Sequence, residues 1–187
     1  MDSRFETSFA SFKARAEAVS AEVHRFPGRP EALAFIQDLL RGLGDGPALW
    51  AAGSFLGGLD PAALDAPGLD FLSFQVSRDA AAAARVGISQ MDWAIADTGT
   101  LVVDAAPVEQ RLVSTLPPIH VAVLGTSRIQ ADMPAVLKRI HPGQTNYISM
   151  ITGPSRTADI ERVLTIGVHG PHRLLIVAVD EFERGNA

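Results

Sequence analysis

ITGPSRTADIERVLTIGVHGP, residues 151–171, follows the apolar run YISMI at 147–151 and precedes a second apolar run, LLIVAV, at 174–179. Gly153-Pro154 breaks the first run, residues 157–164 carry a helical pattern, and Gly167-Val168-His169-Gly170-Pro171 breaks the chain again. Strand, crossover helix and strand at this length predict a βαβ unit whose two strands are parallel neighbours. Open α/β sheets bind ligands beyond the carboxyl ends of their strands. Gly153, Ser155, Arg156, Thr157 and Asp159 fall at such an end. There the amides opening the next helix would join an arginine and two hydroxyls as an anion receiver.

The same alternation extends upstream. Short apolar runs at 48–51, 70–74 and 119–124 alternate with helical patterns at 30–43, 78–85 and 132–140. They predict an α/β layered fold, a mostly parallel sheet flanked by helices. Residues 119–124 are nearly continuous in apolar side chains, as in a strand buried on both faces. His120 interrupts them and reads as a hydrogen-bonded structural histidine. Ser77 and Asp132 are placed to cap the helices that follow them. The glycine-rich link at 53–58 lacks the GxGxxG and GxxxxGK[ST] spacings, so it reads as a tight turn.

Residues 3–24 carry Phe5, Phe9, Phe12, Ala16, Val19 and Val23 at alternating steps of four and three, the stripe of a packed helix. Ser3 with Glu6 resembles a capping box. Such a stripe either covers the domain's own core or docks on a partner or a second copy, giving a homo-oligomer. One domain is expected over residues 1–187, with an N-terminal helix at 1–24 and an α/β body at 25–187.

A second landmark is AIADTGTLV, residues 94–102, where two apolar runs flank Asp97, Thr98, Gly99 and Thr100. The pattern predicts a hairpin projecting as an antiparallel excursion. Its polar residues either satisfy turn backbone or face a pocket shared with Ser155 and Arg156.

Four blocks, AIADTGTLV, LPPIHVAV (116–123), GPSRTADIE (153–161) and GVHGP (167–171), stand together in one order. In them the chain resembles the LUD-domain family of lactate-utilisation C proteins, strongly over its second half and by general layout over the first. The resemblance implies a fold similar to the sugar-phosphate isomerase and CoA-transferase superfamily. It also implies a part in bacterial oxidation of L-lactate to pyruvate beside iron–sulfur partner proteins. It brings no catalytic residue set with it. His169, in the GVHGP turn, stands among the candidate ligand-binding residues, although a turn histidine is mostly solvated or hydrogen-bonded to backbone.

Composition narrows the chemistry. Of 187 residues, 47% are hydrophobic and 20% charged, a folded composition. A formal net charge of −5 gives no electrostatic case for nucleic acid. Without cysteine the chain can form no disulfide, thiolate zinc site or self-held cysteine-ligated iron–sulfur cluster. Any redox centre is therefore expected on a partner, with no cofactor held here. The histidines at 24, 120, 141, 169 and 172 lack metal-pair spacing, so no metal site is expected. Lys13 and Lys138 are the only lysines and lie away from the motif loops, which disfavours Schiff-base chemistry. No apolar run is long enough to span a bilayer and no signal peptide is visible, so a cytoplasmic protein is expected. Two classes of function stay open. One is an accessory subunit of lactate oxidation that binds a small anion or a partner. The other is an enzyme acting on a phosphosugar or acyl-CoA, for which Glu109 or Glu161 would be the carboxylate by type alone.

Overall fold

Strands buried on both faces need apolar side chains at successive positions, and the runs near 120 and 175 supply them at the centre of the molecule. The computed structural model describes residues 3–51, 53–56, 69–72, 76–141, 143, 145, 147–158, 164–166 and 170–182. The first half of the chain forms α1 (Ser3–Ala18), β1 (Glu22–Phe26), α2 (Arg29–Leu43), β2 (Ala48–Ala51), β3 (Leu69–Leu72), α3 (Arg78–Ala83) and β4 (Val86–Gln90). Then come β5 (Trp93–Ile95), β6 (Thr100–Asp104), α4 (Val108–Thr115), β7 (Ile119–Gly125), β8 (Ile129–Gln130) and α5 (Met133–Leu137). The last elements are β9 (Ile148–Ile151), β10 (Arg156–Ala158), β11 (Leu164–Ile166) and β12 (Arg173–Val179).

Six strands make one sheet in the order β1-β12-β7-β4-β2-β3, with every pairing parallel. Side chains alternate across it. Leu175, Val177 and Val179 with Val121 and Val123 meet Leu33, Ile36 and Leu40 of α2. Leu174, Ile176 and Ala178 with Ala122 and Leu124 meet Phe9, Phe12 and Ala16 of α1. Phe9, Phe12 and Ala16 of the stripe therefore pack on their own domain, and the Phe5 side chain lies outside what is described. A second sheet, β8-β5-β6-β9, shares the α1 side through Ala94, Leu101 and Val103. The α/β layered, mostly parallel architecture is as the sequence predicts, and so is the hairpin: β5 and β6 pair antiparallel with Ile95 opposite Thr100. Ser77 and Asp132 accept from Ala80 N and Ala135 N at 3.0 and 2.8 Å, the caps expected of them.

The decisive stretch folds differently from its reading. β9 does not join the main sheet but pairs antiparallel with β6, so β9 and β12 are not parallel neighbours. The helical pattern at 157–164 is no continuous helix. Arg156–Ala158 and Leu164–Ile166 pair as antiparallel strands, in keeping with the β-branched Thr157, Thr165 and Ile166. Residues 159–163 and 167–169 lie outside the described residues, as do the glycines at 57 and 58. Two strands of the main sheet, β1 and β4, are not among those the sequence pattern predicts.

The N-terminal helix is also shorter than 3–24. Ser20 N bonds Glu17 O at 2.9 Å and Ala21 N bonds Ala16 O at 3.0 Å, the paired bonds of a Schellman ending. Ser20 takes the left-handed position at φ 72°, which a sequence search for glycine or asparagine overlooks. Val23, read as the last member of the stripe, is buried on β1 instead. Glu6, read as half of a capping box, reaches Arg25 at 2.7 Å, and that guanidinium holds its carboxyl below the usual range. Arg25 also pairs with Asp180 at 2.9 Å, and Asp180 accepts from Thr126. This network closes the carboxyl ends of β1, β7 and β12.

Candidate functional site

A cleft of about 410 Å³ opens on the α1 side of the main sheet, at the amino ends of β7 and β12. Three elements build it. His120 and Leu174, opposite each other in the β7–β12 register, contribute from the sheet. Ser114 and Thr115 come from the end of α4, which lies close on the sheet because Gly87, the other register neighbour of His120, has no Cβ to meet Val113 O. The outer wall is β9 and the turn after it, from Ser149 to Arg156, with Gly170 and Pro171. The cleft thus lies at the strands' amino ends rather than beyond carboxyl ends of the main sheet, because β9 leads its turn in from the second sheet.

The residues proposed from the sequence divide. Gly153, Ser155 and Arg156 line the cleft. Arg156 is exposed, donates to Ser20 Oγ at 2.6 Å, and is the only charged side chain among the described lining residues. Thr157 is on β10, so no helix opens there and the expected helix-opening amides are replaced by strand backbone. Asp159 and His169 lie outside the described residues. Asp97, Thr98, Gly99 and Thr100 do not line the cleft but join its wall from behind. Thr98 Oγ1 lies 2.8 Å from Thr100 Oγ1, and Thr100 Oγ1 lies 2.8 Å from Thr152 Oγ1. Thr152 lines the cleft, so three hydroxyls connect the hairpin to it. The Asp97 side chain is exposed, and its amide donates to Ala131 O.

Both loops close on the end of α1. Gly99 and Gly153 hold φ of 67° and 69°. A Cβ at Gly99 would run into the backbone of Arg15 and Ala16, and one at Gly153 into Val19 O. Ser11 Oγ adds a bond to Ala96 O at 3.3 Å. The α1 ending therefore sets where Arg156 can stand.

His120 reads from the sequence as a structural histidine, but its surroundings are unusual. The side chain is 1% exposed, and Nε2 lies 2.8 Å from Ser89 Oγ. Nδ1 has no hydrogen-bond partner. Burial pushes the imidazole down to about 4, so it is neutral near pH 7. No sequence signal joins His120 to Ser89: the contact spans 31 positions and two strands. The Ser114 and Thr115 hydroxyls both turn back to Arg111 O, the ordinary partner for hydroxyls in a last helical turn.

A second hollow of about 250 Å³ holds Asp92, Asp104, Arg128 and Arg139 around Trp93. Both guanidinium groups lie over the indole, at 4.9 and 5.0 Å, in a hollow that Asp92 and Asp104 also line. Among the described lining residues its charges balance, whereas Arg156 has no opposing charge in the first cleft. Glu109, a candidate nucleophile by type, sits in the first turn of α4, at the end opposite Ser114 and Thr115. Among the described residues no group of three or more His, Asp or Glu is placed to hold a metal, and no helix is long and apolar enough to cross a membrane.

A profile of the LUD domain matches residues 9–179. A lactate utilization protein C of an Exiguobacterium species is 37% identical over 113 residues, covering 57% of this chain and 49% of that protein. A protein of the same name from Halalkalibacterium halodurans is 35% identical over 104 residues, covering 52% of this chain and 45% of that protein. The matched segments thus take in about half the length of these relatives. A crystal structure of a DUF162 family protein from Deinococcus radiodurans superposes with a TM-score of 0.66 at 19% identity, covering 94% of this chain and 98% of that one. That likeness speaks to the fold alone.

Proposed function

The chain belongs to the LUD-domain family, and from that premise we propose that it serves lactate utilisation, its cleft receiving a small carboxylate. The supporting observation is electrostatic: Arg156 is the only charged side chain among the described residues that line a cleft of about 410 Å³, whose walls carry hydroxyls and turn backbone. A guanidinium with no competing carboxylate favours an anion, and its fork can hold a carboxylate at two points. Ser149 and Ser155 supply hydroxyls that can turn towards the bound oxygens. Oxidation of lactate to pyruvate releases two electrons, and these 187 residues contain no cysteine to ligate a cluster. The proposal therefore gives the electrons to iron–sulfur partner proteins and assigns this chain no cofactor.

Isothermal titration with L-lactate, pyruvate, a sugar phosphate and a CoA ester tests it, on the native chain and on Arg156→Ala. One of the two three-carbon acids should bind, about 10- to 100-fold more weakly in the variant, the scale of a charge-assisted hydrogen bond. The melting temperature should change little, because Arg156 is exposed. Undiminished binding by Arg156→Ala would reject the cleft. Binding of the sugar phosphate or CoA ester alone would favour a stand-alone enzyme instead.

A further inference from the structure

We propose that His120 is a specificity-determining residue of this cleft: held as its Nδ1–H tautomer by Ser89, it presents a neutral donor and favours a 2-oxo acid over the matching 2-hydroxy acid. The proposal rests on the cleft being a carboxylate site, as above.

The tautomer follows from counting buried donors and acceptors. Ser89 and His120 are both buried, and among the described residues Ser89 Oγ has no hydrogen-bond partner besides His120 Nε2. If Nε2 carried the proton, it would donate to Ser89 Oγ. The serine's own proton would then be stranded in the core, and so would the lone pair of Nδ1. If instead Ser89 donates to Nε2, the serine proton is paired, Nδ1 carries the ring proton in place of a stranded lone pair, and a single group is left over, the Nδ1–H. Leaving one buried polar group unpaired costs less than leaving two, so the Nδ1–H form is favoured.

That remaining donor belongs to a side chain that lines the cleft; Nδ1 itself is buried and has no partner, so a ligand oxygen reaches it only by settling into the cleft floor. The strands fix the ring. Gly87 and Leu174 flank it in register, and the diagonal bond to Ser89 on β4 sets its rotation. Arg156 and the serine hydroxyls can adapt to either an oxo or a hydroxy acid. The imidazole cannot, because its acceptor nitrogen is already taken. An oxygen that only accepts, such as the C2 carbonyl of a 2-oxo acid, satisfies the Nδ1–H outright. A C2 hydroxyl brings a further proton that needs an acceptor of its own.

Two measurements on the folded chain test this. The ring-nitrogen shifts of His120 in ¹⁵N NMR of the ligand-free protein should identify Nδ1 as protonated and Nε2 as the acceptor. Titration should then give tighter binding of pyruvate than of L-lactate, by about three- to tenfold for one hydrogen bond. Ser89→Ala removes the donor that fixes the tautomer. It should shrink that ratio towards one while leaving Arg156-dependent carboxylate binding in place, and His120→Phe, which removes the donor itself, should also bring the ratio towards one. A protonated Nε2 in the native protein, or equal affinities for the two acids, would overturn the proposal with the carboxylate site intact. Failure of both acids to bind would overturn it together with the site.

Discussion

Ser20 holds a backbone conformation that water would not favour, His120 stays neutral at pH values where water would protonate it, and both bear on the cleft. His120 has its folded-state pKa pushed down by burial to about 4, against an ordinary 6.5. Between those values the unfolded chain takes up a proton that the folded chain refuses. Stability is therefore full above pH 6.5 and falls as the pH drops towards 4, by about 3 kcal/mol in all. Glu6 and Glu22, held below their ordinary value by Arg25 and Arg173, add their losses only at pH values below 4.5. Urea midpoints taken from pH 7 to 4.5 should fall in the native chain and stay nearly level in His120→Phe; parallel slopes would count against the buried neutral imidazole. Ser20 presents a smaller case. Relieving its left-handed backbone by Ser20→Gly gains about 1 kcal/mol, less the extra unfolded-state entropy of glycine, for a net gain of about 0.5 kcal/mol. The variant also frees Arg156 from its 2.6 Å bond, so anion affinity should rise while the melting temperature rises slightly. Weaker anion binding in Ser20→Gly would mean that the serine positions the guanidinium rather than competing for it.

The turn at Gly99 and the turn at Gly153 clamp the end of α1, and they do so through backbone contact. Gly99→Ala combines a left-handed φ with overpacking against Arg15 and Ala16, and should cost about 2–4 kcal/mol in chemical denaturation. Gly42 is the control: it lies within α2 with open space around it, and Gly42→Ala should stabilise by up to about 1 kcal/mol. Equal effects at the two positions would remove the clamp. These elements also show what local pattern can carry. The β5–β6 hairpin, the caps at Ser77 and Asp132, and the strands at 119 and 173 were legible because each is specified by neighbours in sequence. The partner of β9 was not, because pairing with β6 is set by tertiary packing and a short apolar run fits either sheet. β1 was hidden because Val19 and Val23 continue the spacing of the α1 stripe past a serine in the left-handed position. The cleft was half legible for the same reason. Gly153, Ser155 and Arg156 sit in one turn, whereas the neutral donor of His120 depends on a serine from another strand.

At the scale of the whole molecule, α1 decides whether the two sheets share one core. Phe9, Phe12 and Ala16 are buried against Met91, Ala94 and Leu101 on one side and Leu174 and Ile176 on the other. Removing residues 1–18 would leave β1 in place but open that cluster to water. Burying a phenylalanine contributes roughly 1.5–3 kcal/mol, so Phe9 and Phe12 together account for a large part of a typical domain stability of about 5–15 kcal/mol. Loss of Glu6 would also take one partner from Arg25 at the carboxyl ends of the strands. Dye binding and thermal unfolding should show the truncated chain with exposed apolar surface and no cooperative transition, or one at a much lower temperature. Phe12→Ala isolates the packing contribution without shortening the chain and should cost about 3–5 kcal/mol. Because the end of α1 also abuts Gly99 and Gly153 and carries Ser20 towards Arg156, Phe12→Ala should loosen anion binding as well as lower stability. A truncated chain that stays soluble, melts where the native one does and binds carboxylate equally well would mean that the helix is a docking arm, and that the cleft is shaped by the sheets alone.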